Sequence, residues 1–447
     1  MRDLLLDAAH RANRYLEEID DRPVFPTAVD LAAMDALDVP LGAGPTDPGE
    51  VLALLDRAGS PATVACAGRR YFGFVVGGTL PAALAANWLA GAWDQAAGMR
   101  ISSPIGARIE EITSGWLLDL LGLPAGAGVG FVTGATMANF AGLAAARHRV
   151  LARAGWNVAE DGLIGAPPIR VVVGEEVHAS LLKALSMLGL GRGRVERVPV
   201  DAQGRMRPDS LPMLDERTIL CLQAGNVNSG ASDPFPLLID SARAAGAWVH
   251  VDGAFGLWAA ASRARVAQVE GIGGADSWAT DAHKWLNVPY DSGIVFVRDP
   301  ADLEAPFSAD AAYLIQEAPR EPMRLTPESS RRARGLEIWA ALSSLGRSGV
   351  ADLVARCCDH ARRFAEGLTA AGFEVLNEVV LNQVLVSFGD DARTDLVVAG
   401  VQSEGTCWAG GTTWHGKRAM RISVSSWATT EEDVDRSIEA IVRVASA

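Results

Sequence analysis

From about residue 70 to 300, short apolar runs alternate with longer stretches that carry an apolar residue at every third or fourth position. The apolar runs at 130–133, 169–173, 219–222, 247–252 and 294–297 predict strands, and the helical spacing at 136–152 and 179–188 predicts helices between them. Strands alternating with helices predict an α/β fold with a parallel or mostly parallel sheet covered on both faces. In such sheets ligands sit beyond the carboxyl ends of the strands, so the residues that follow each strand are where chemistry is to be sought.

The two ends of the chain read differently. Leu4, Leu5, Ala8, Ala12, Tyr15, Leu16 and Ile19 fall at helical spacing, and Pro23 and Pro26 stop that helix. Residues 27–68 follow as short helical and loop segments. Beyond the polar stretch 317–330, the pattern predicts helices at 334–346 and 350–370 and strands at 384–388 and 420–424. Thr430 then opens a last helix, with Asp433 as a capping-box-like partner and Val434, Ile438 and Ile441 on its apolar face. Three parts are expected: an N-terminal helical segment, 1–68; a large α/β domain, 69–330; and a small α+β domain, 331–447.

Composition narrows the function classes. The 447 residues include 40 Lys and Arg against 54 Asp and Glu, a net charge of −14, which disfavours nucleic acid or an anionic membrane as a partner. With 49% hydrophobic and 21% charged residues the chain is not of disordered type. Five cysteines without a CxxC pair point to a reducing compartment and away from a structural zinc. The first residues are charged throughout and lack the apolar core of a signal peptide. The longest weakly polar stretch, 80–93, contains Pro81 and Asn87 and is too short to span a bilayer. A cytoplasmic location is therefore expected.

Four strand ends carry unusual residues. After the first predicted strand comes Gly134, Ala135 and Thr136, a turn feeding a helix whose free N–H groups and positive dipole end suit a phosphate, or a simple βα turn with Thr136 as cap. His178 follows the second strand, where a satisfied surface or core imidazole is the ordinary outcome. Asp252 closes an apolar run and must be paired, hydrogen-bonded or capping a helix. Lys284, amid apolar and aromatic residues, either snorkels or carries a desolvated ammonium that can serve as an amine nucleophile. Pyridoxal 5'-phosphate (PLP) needs this combination: a lysine for its aldehyde, an acid partner for its pyridine nitrogen, a stacking ring and a phosphate seat.

These residues resemble those of the group II PLP-dependent amino-acid decarboxylases, the family of the aromatic-amino-acid, glutamate and diaminobutyrate decarboxylases. The resemblance is carried by residues 276–286 with 289–293, by 250–254 and by 178–183. Tyr71 to Phe74, Ser103-Pro104 with Glu110, 133–136 and 330–334 support it, in matching order from about 60 to 440. It implies fold type I, with a seven-stranded, mostly parallel large domain, a small C-terminal domain, an N-terminal segment that wraps a partner subunit, and a homodimer. It further implies that Lys284 forms the Schiff base, Asp252 pairs with the pyridinium, His178 stacks on the ring and Ala254 packs its other face. Ala135, Thr136, Ser277 and His283 would hold the phosphate, and Tyr71 and Phe72 would line the substrate pocket.

Two departures from the family pattern bear on the outcome. Residues 225–230 replace a Thr-rich loop. The segment 317–329 lacks the Tyr that aromatic decarboxylases use to protonate Cα, with Tyr313 lying upstream. The implied reaction is decarboxylation of an L-amino acid to amine and CO2, with the aromatic residues around the site leaning toward an aromatic or bulky substrate and His178 a candidate proton donor. The alternatives are oxidative decarboxylation to an aldehyde, an aminotransferase or aldolase-type reaction, or a catalytically silent scaffold. Arg331, Arg332, Arg334 and Arg421 are each either a substrate-carboxylate partner or a structural ion pair. Trp248, Trp258, Trp278 and Trp285, four of 12 tryptophans, lie in the stretch carrying Asp252 and Lys284, where they pack the core and exclude water.

Overall fold

The computed structural model describes residues 1–308 and 320–447. It comprises two compact units, one of 79–359 with 377–383, the other of 1–78 with 360–376 and 384–447. The unit boundaries thus differ from the expected 68/69 and 330/331. Residues 1–78 join the C-terminal unit because their polar groups find partners there. Val24 N–H donates to the Gly405 carbonyl at 2.9 Å, Arg70 pairs with Asp433 at 3.3 Å, and Tyr71 stacks on Trp408 at 5.1 Å between ring centroids. Residues 331–359 stay with the larger unit because Ala333 and Leu336 pack with Ala97 and Ile109.

The larger unit is built on seven strands: β1 (Gly128–Val132), β2 (Arg170–Gly174), β3 (Glu196–Val198), β4 (Thr218–Gln223), β5 (Trp248–Asp252), β6 (Ser277–Asp281) and β7 (Gly293–Val297), in the order β1-β7-β6-β5-β4-β2-β3. All neighbours are parallel except β7, which runs against both β1 and β6. The five predicted strands lie within a residue or two of β1, β2, β4, β5 and β7. β3 and β6 do not show in the apolar pattern. β6 reads SWATD, and Ser277, Thr280 and Asp281 interrupt an apolar run although all five residues are buried. Residues 276–286, expected between two β segments, therefore begin with a central strand.

This topology gathers the functional end of the sheet. Val132 at the end of β1 and Asp281 at the end of β6 both pair in register with Gly293, the first residue of β7. The helix Ala135–Arg153 leaves from that edge and packs on the sheet with small residues, among them Ala138, Ala141, Gly142 and Ala145, which are buried. Small side chains let a helix backbone come close to a sheet, at little cost in helix propensity for Ala.

Helices expected at 334–346 and 350–370 are present as Gly335–Ala370, interrupted at Gly346, whose φ of 61° is left-handed and favours glycine. The smaller unit holds the second sheet: β8 (Glu374–Val375), β9 (Gln383–Ser387), β10 (Gly410–Trp414) and β11 (Lys417–Ser423), ordered β10-β11-β9-β8. Its last helix, Glu431–Ala445, is capped by Thr430 and Asp433 in the predicted capping box.

A Cβ at Gly293 would overlap the backbone of Gly134. Gly293→Ala is expected to cost about 1–3 kcal/mol by overpacking, measured as a lowered urea midpoint at unchanged slope. Gly193→Ala, with open space around it, should leave the midpoint within error.

Candidate active site

Each strand end delivers one part of the site. At the end of β6, Asp281 is a hub. Its Oδ1 accepts from Ala135 N–H at 2.5 Å, at the start of the 19-residue helix Ala135–Arg153, and its Oδ2 lies 3.2 Å from Lys284 Nζ. Asp281 is 2% exposed, so the helix N-terminus and the ammonium supply the charge compensation that water would otherwise give. Lys284 thus sits in an ion pair and not in bare apolar surroundings. His283, beside it, accepts Ser292 N–H at Nδ1 (3.1 Å), places Nε2 3.6 Å from Asp281, and stacks on Tyr290 at 4.2 Å. Burial lowers the His283 pKa, and the Asp281 charge opposes that shift.

Asp252 ends β5 and is also buried. Its Oδ1 accepts Ala254 N–H at 3.1 Å and its Oδ2 accepts the Asn139 amide at 3.0 Å. His178 caps the helix Ala179–Met187: its Nδ1 accepts Ser180 N–H at 3.2 Å and meets Ser180 Oγ at 2.7 Å, which fixes the ring. His178 and Asp252 line one cavity together with Gly174, Cys221 and Gln223. The carbonyl of Ala254 accepts Asp281 N–H at 2.9 Å and so ties the segment after β5 to the end of β6.

The four residues expected to hold a phosphate do not all come together. Gly134 is the N-cap of its helix and offers no side-chain cap. Ala135 N–H is taken by Asp281, whereas Thr136 N–H has no partner among the described residues. Ser277 does not belong with them. It starts β6, four residues and roughly 13 Å along the strand from Asp281, and its Oγ takes Trp248 Nε1–H at 2.9 Å and meets His250 Nδ1 at 2.8 Å. Its place in the DSxxxxxHK spacing does not reveal this, because the strand in between is not legible from the pattern.

Asp281, Asn139 and His250 are the residues that the sequence left without a role. Asp281 lies three positions before Lys284, a spacing that could have flagged the pair. The Asn139–Asp252 contact joins positions 113 apart and has no local signal.

Three of the four arginines are structural. Arg331 pairs with Glu110 at 2.7 Å, both 1% exposed; Arg332 pairs with Glu337 at 2.8 Å; Arg334 donates to Asp291 at 2.9 Å and holds that carboxyl below its ordinary pKa against the effect of burial. Arg421, in the smaller unit, meets no carboxylate among the described residues; burial lowers its pKa and the Tyr71 hydroxyl raises it. In the same unit Tyr71 stacks on Trp408, and Phe72, 1% exposed, packs edge-on against Phe364. Tyr313 and residues 317–319 lie outside the described residues. Among the described residues no helix is long and apolar enough to cross a membrane, and no cluster of three His, Cys, Asp or Glu could hold a metal.

A lysine beside a helix N-terminus, a buried carboxylate one strand away and an imidazole on the same cavity fit PLP, and they define a PLP-dependent enzyme of the α/β class. Comparison with known proteins agrees. Residues 68–389 match the model of the pyridoxal-dependent decarboxylase conserved domain. L-2,4-diaminobutyrate decarboxylase of Rhizobium meliloti is 29% identical over 386 residues, covering 80% of this chain and 74% of that one. Aromatic-L-amino-acid decarboxylase of Bacillus atrophaeus is 27% identical over 383 residues, covering 83% and 77%. In fold, the crystal structure of Oryza sativa TDC with PLP and tryptamine superposes with a TM-score of 0.91 at 21% identity, over 100% of this chain and 97% of that one. The chain belongs to the pyridoxal-dependent decarboxylase family and is a PLP-dependent carboxy-lyase acting on an amino acid.

Breaking the Arg331–Glu110 pair leaves a buried charge. Arg331→Met is expected to lose about 3–5 kcal/mol of stability, and Arg331→Met combined with Glu110→Leu to recover most of it, read by denaturant unfolding. A substrate-binding Arg331 would instead raise KM without that loss.

Proposed function

We propose that the chain removes the α-carboxylate of an aromatic or bulky L-amino acid as CO2 and releases the amine. The observation that carries the assignment of residues is Lys284 paired with Asp281 on the helix N-terminus, with Asp252 buried at the adjacent strand end. When bound, PLP supplies an electron sink for the pair left on Cα as the carboxylate departs. Lys284 would hold the cofactor through its aldehyde, Asp252 would pair with its ring nitrogen, and His178 would cover the ring. Thr136 and His283, with the dipole of the helix Ala135–Arg153, hold its phosphate. Trp258, its indole donating to the Asp281 carbonyl at 3.0 Å, and Trp285 exclude water beside Lys284.

In the smaller unit, Tyr71 serves substrate recognition, and Phe72, expected beside it, packs in the core against Phe364 instead. Tyr71 is continuous with an aromatic cluster in which Phe74 and Trp408 also meet, at 5.4 Å. Arg421, the one of the four arginines not tied to a carboxylate, takes the substrate's carboxylate.

The protein acts as a homodimer in the cytoplasm. Supporting the dimer, the helices Pro81–Trp93 and Pro104–Leu120 expose Trp88, Leu89, Trp93, Ile105 and Trp116, and Trp339 stacks on Trp116 at 6.4 Å. An apolar patch of this kind fits a second copy of the chain. The segment 1–68 lies against that partner.

A second outcome, an aldehyde, is favoured by the absence of Tyr from 317–329. Without a phenol to protonate Cα, the carbanion-like centre is open to oxygen. A screen of the common amino acids with diaminobutyrate and ornithine separates the outcomes. The expected result is CO2 and amine in equal amounts from an aromatic substrate. Aldehyde with H2O2 would establish the second outcome, and a keto acid without CO2 would overturn both. Arg421→Met should raise KM tenfold or more with kcat little changed. Light scattering should give twice the 47.0 kDa chain mass, and Trp116→Glu should shift it toward the monomer.

A further inference from the structure

Behind Asp252 lies a chain of side chains that the proposed chemistry does not use. Trp248 Nε1 is 2.9 Å from Ser277 Oγ, Ser277 Oγ is 2.8 Å from His250 Nδ1, His250 Nε2 is 2.9 Å from Asn139 Oδ1, and Asn139 Nδ2 is 3.0 Å from Asp252 Oδ2. His250, Asn139 and Ser277 are fully buried, and Trp248 and Asp252 nearly so. Five polar groups therefore satisfy one another with no water to help.

The two ends dictate the direction of the chain. An indole N–H can only donate, and an ionised carboxylate can only accept. Asn139 turns its amide toward Asp252, so its oxygen faces His250 and requires a proton on Nε2. The Ser277 oxygen already accepts from Trp248, so its hydroxyl donates to Nδ1 of a neutral ring. Burial agrees, lowering the His250 pKa to about 4. One arrangement alone satisfies every group: Trp248 to Ser277 to His250 to Asn139 to Asp252, each donating toward the carboxylate. Hydrogen bonds aligned in one direction polarise one another.

Gly142 shows that this geometry is built for the imidazole. A Cβ at that position would come within 2.8 Å of His250 Cε1 and 3.0 Å of its Nδ1, so the helix Ala135–Arg153 leaves room for the ring in one place only.

We propose that Ser277, His250 and Asn139 are positioning residues that hold Asp252 in one orientation, aimed at the cofactor's ring nitrogen, through a single Nε2–H tautomer of His250. The proposal deepens the assignment of Asp252 made above and rests on it. It also gives Ser277 a role in place of the phosphate contact that the sequence suggested. Reversing any link would turn the Asn139 oxygen toward Asp252, setting two acceptors against each other.

The test uses the full-length protein in two measurements. First, 15N NMR of histidine-labelled apo-protein at pH 7 reads the tautomer directly. The expected His250 signals are those of a neutral ring protonated at Nε2; a ring protonated at Nδ1, or at both nitrogens, overturns the proposal. Second, apo-protein is titrated with PLP and the visible band of the bound cofactor is followed. Ser277→Ala is expected to weaken PLP about tenfold and shift the band, and Ser277→Thr, which keeps the hydroxyl, to restore both. Trp278→Phe, the next residue on β6, has its indole N–H on the Ile272 carbonyl outside the chain, and serves as the stability control with unchanged PLP affinity. Wild-type affinity and band in Ser277→Ala overturn the relay. Failure of the wild type to bind PLP, or persistence of the band in Lys284→Ala, overturns the cofactor assignment itself and is distinguishable from the first result. Should Ser277→Ala not fold, the wild-type tautomer still decides.

Discussion

Two carboxylates buried at the ends of adjacent parallel strands must each be compensated without water, and both are compensated by the same helix. Asp281 on β6 takes the first N–H of the helix Ala135–Arg153, and Asp252 on β5 takes the amide of Asn139, one turn further along. Positions 135 and 139 share a helix face, so the helix is clamped to two strands at once. Leaving either carboxylate unpaired would cost several kcal/mol. The turn at Gly134, the close approach of Gly293 and the small residues along the helix all serve this clamp. The place of the lysine then follows from it, because Lys284 answers the remaining charge of Asp281, and Thr136 N–H is left on the helix end.

The same economy governs the arginines. A guanidinium in the interior is stable only with a partner, and Arg331 and Arg334 find theirs in Glu110 and Asp291, while the exposed Arg332 pairs with the buried Glu337. The clustered arginines of 331–334 therefore anchor the start of a long helix to the large unit. Burial acts on the thiols as well. Burial raises Cys357 to about 11 and Cys407 to about 12, and none of the five cysteines forms a disulfide. Polar chemistry in the larger unit concentrates where the parallel strands end. Trp248, Trp258, Trp278 and Trp285 are core residues, and Trp248 and Trp258 also spend their N–H groups on the site's supports.

Much of this was legible in the chain. Apolar runs located five strands of the main sheet because those strands are largely buried and rich in Val, Ile, Leu and Phe. Helical spacing, the Thr430 capping box and the residues flanking Lys284 placed the other parts, and the family follows from their order. What stayed hidden was β6, whose Ser, Thr and Asp break the apolar run, and the reversal of β7, which local pattern does not encode. Ser277 was assigned to the wrong end of a strand for that reason.

The sequence by itself determined most of the elements and the family, and it marked Lys284, Asp252 and His178 as candidates, since each of these follows from residue type and near-neighbour spacing. Tertiary structure alone decided which polar groups meet. Asn139 reaches Asp252 across 113 positions, His250 is flanked by Asn139 and Ser277, and Arg331 belongs to Glu110. Such pairings are fixed by the cost of leaving a buried donor or acceptor unmatched. That cost exists only once the chain has excluded water from the places where these groups stand.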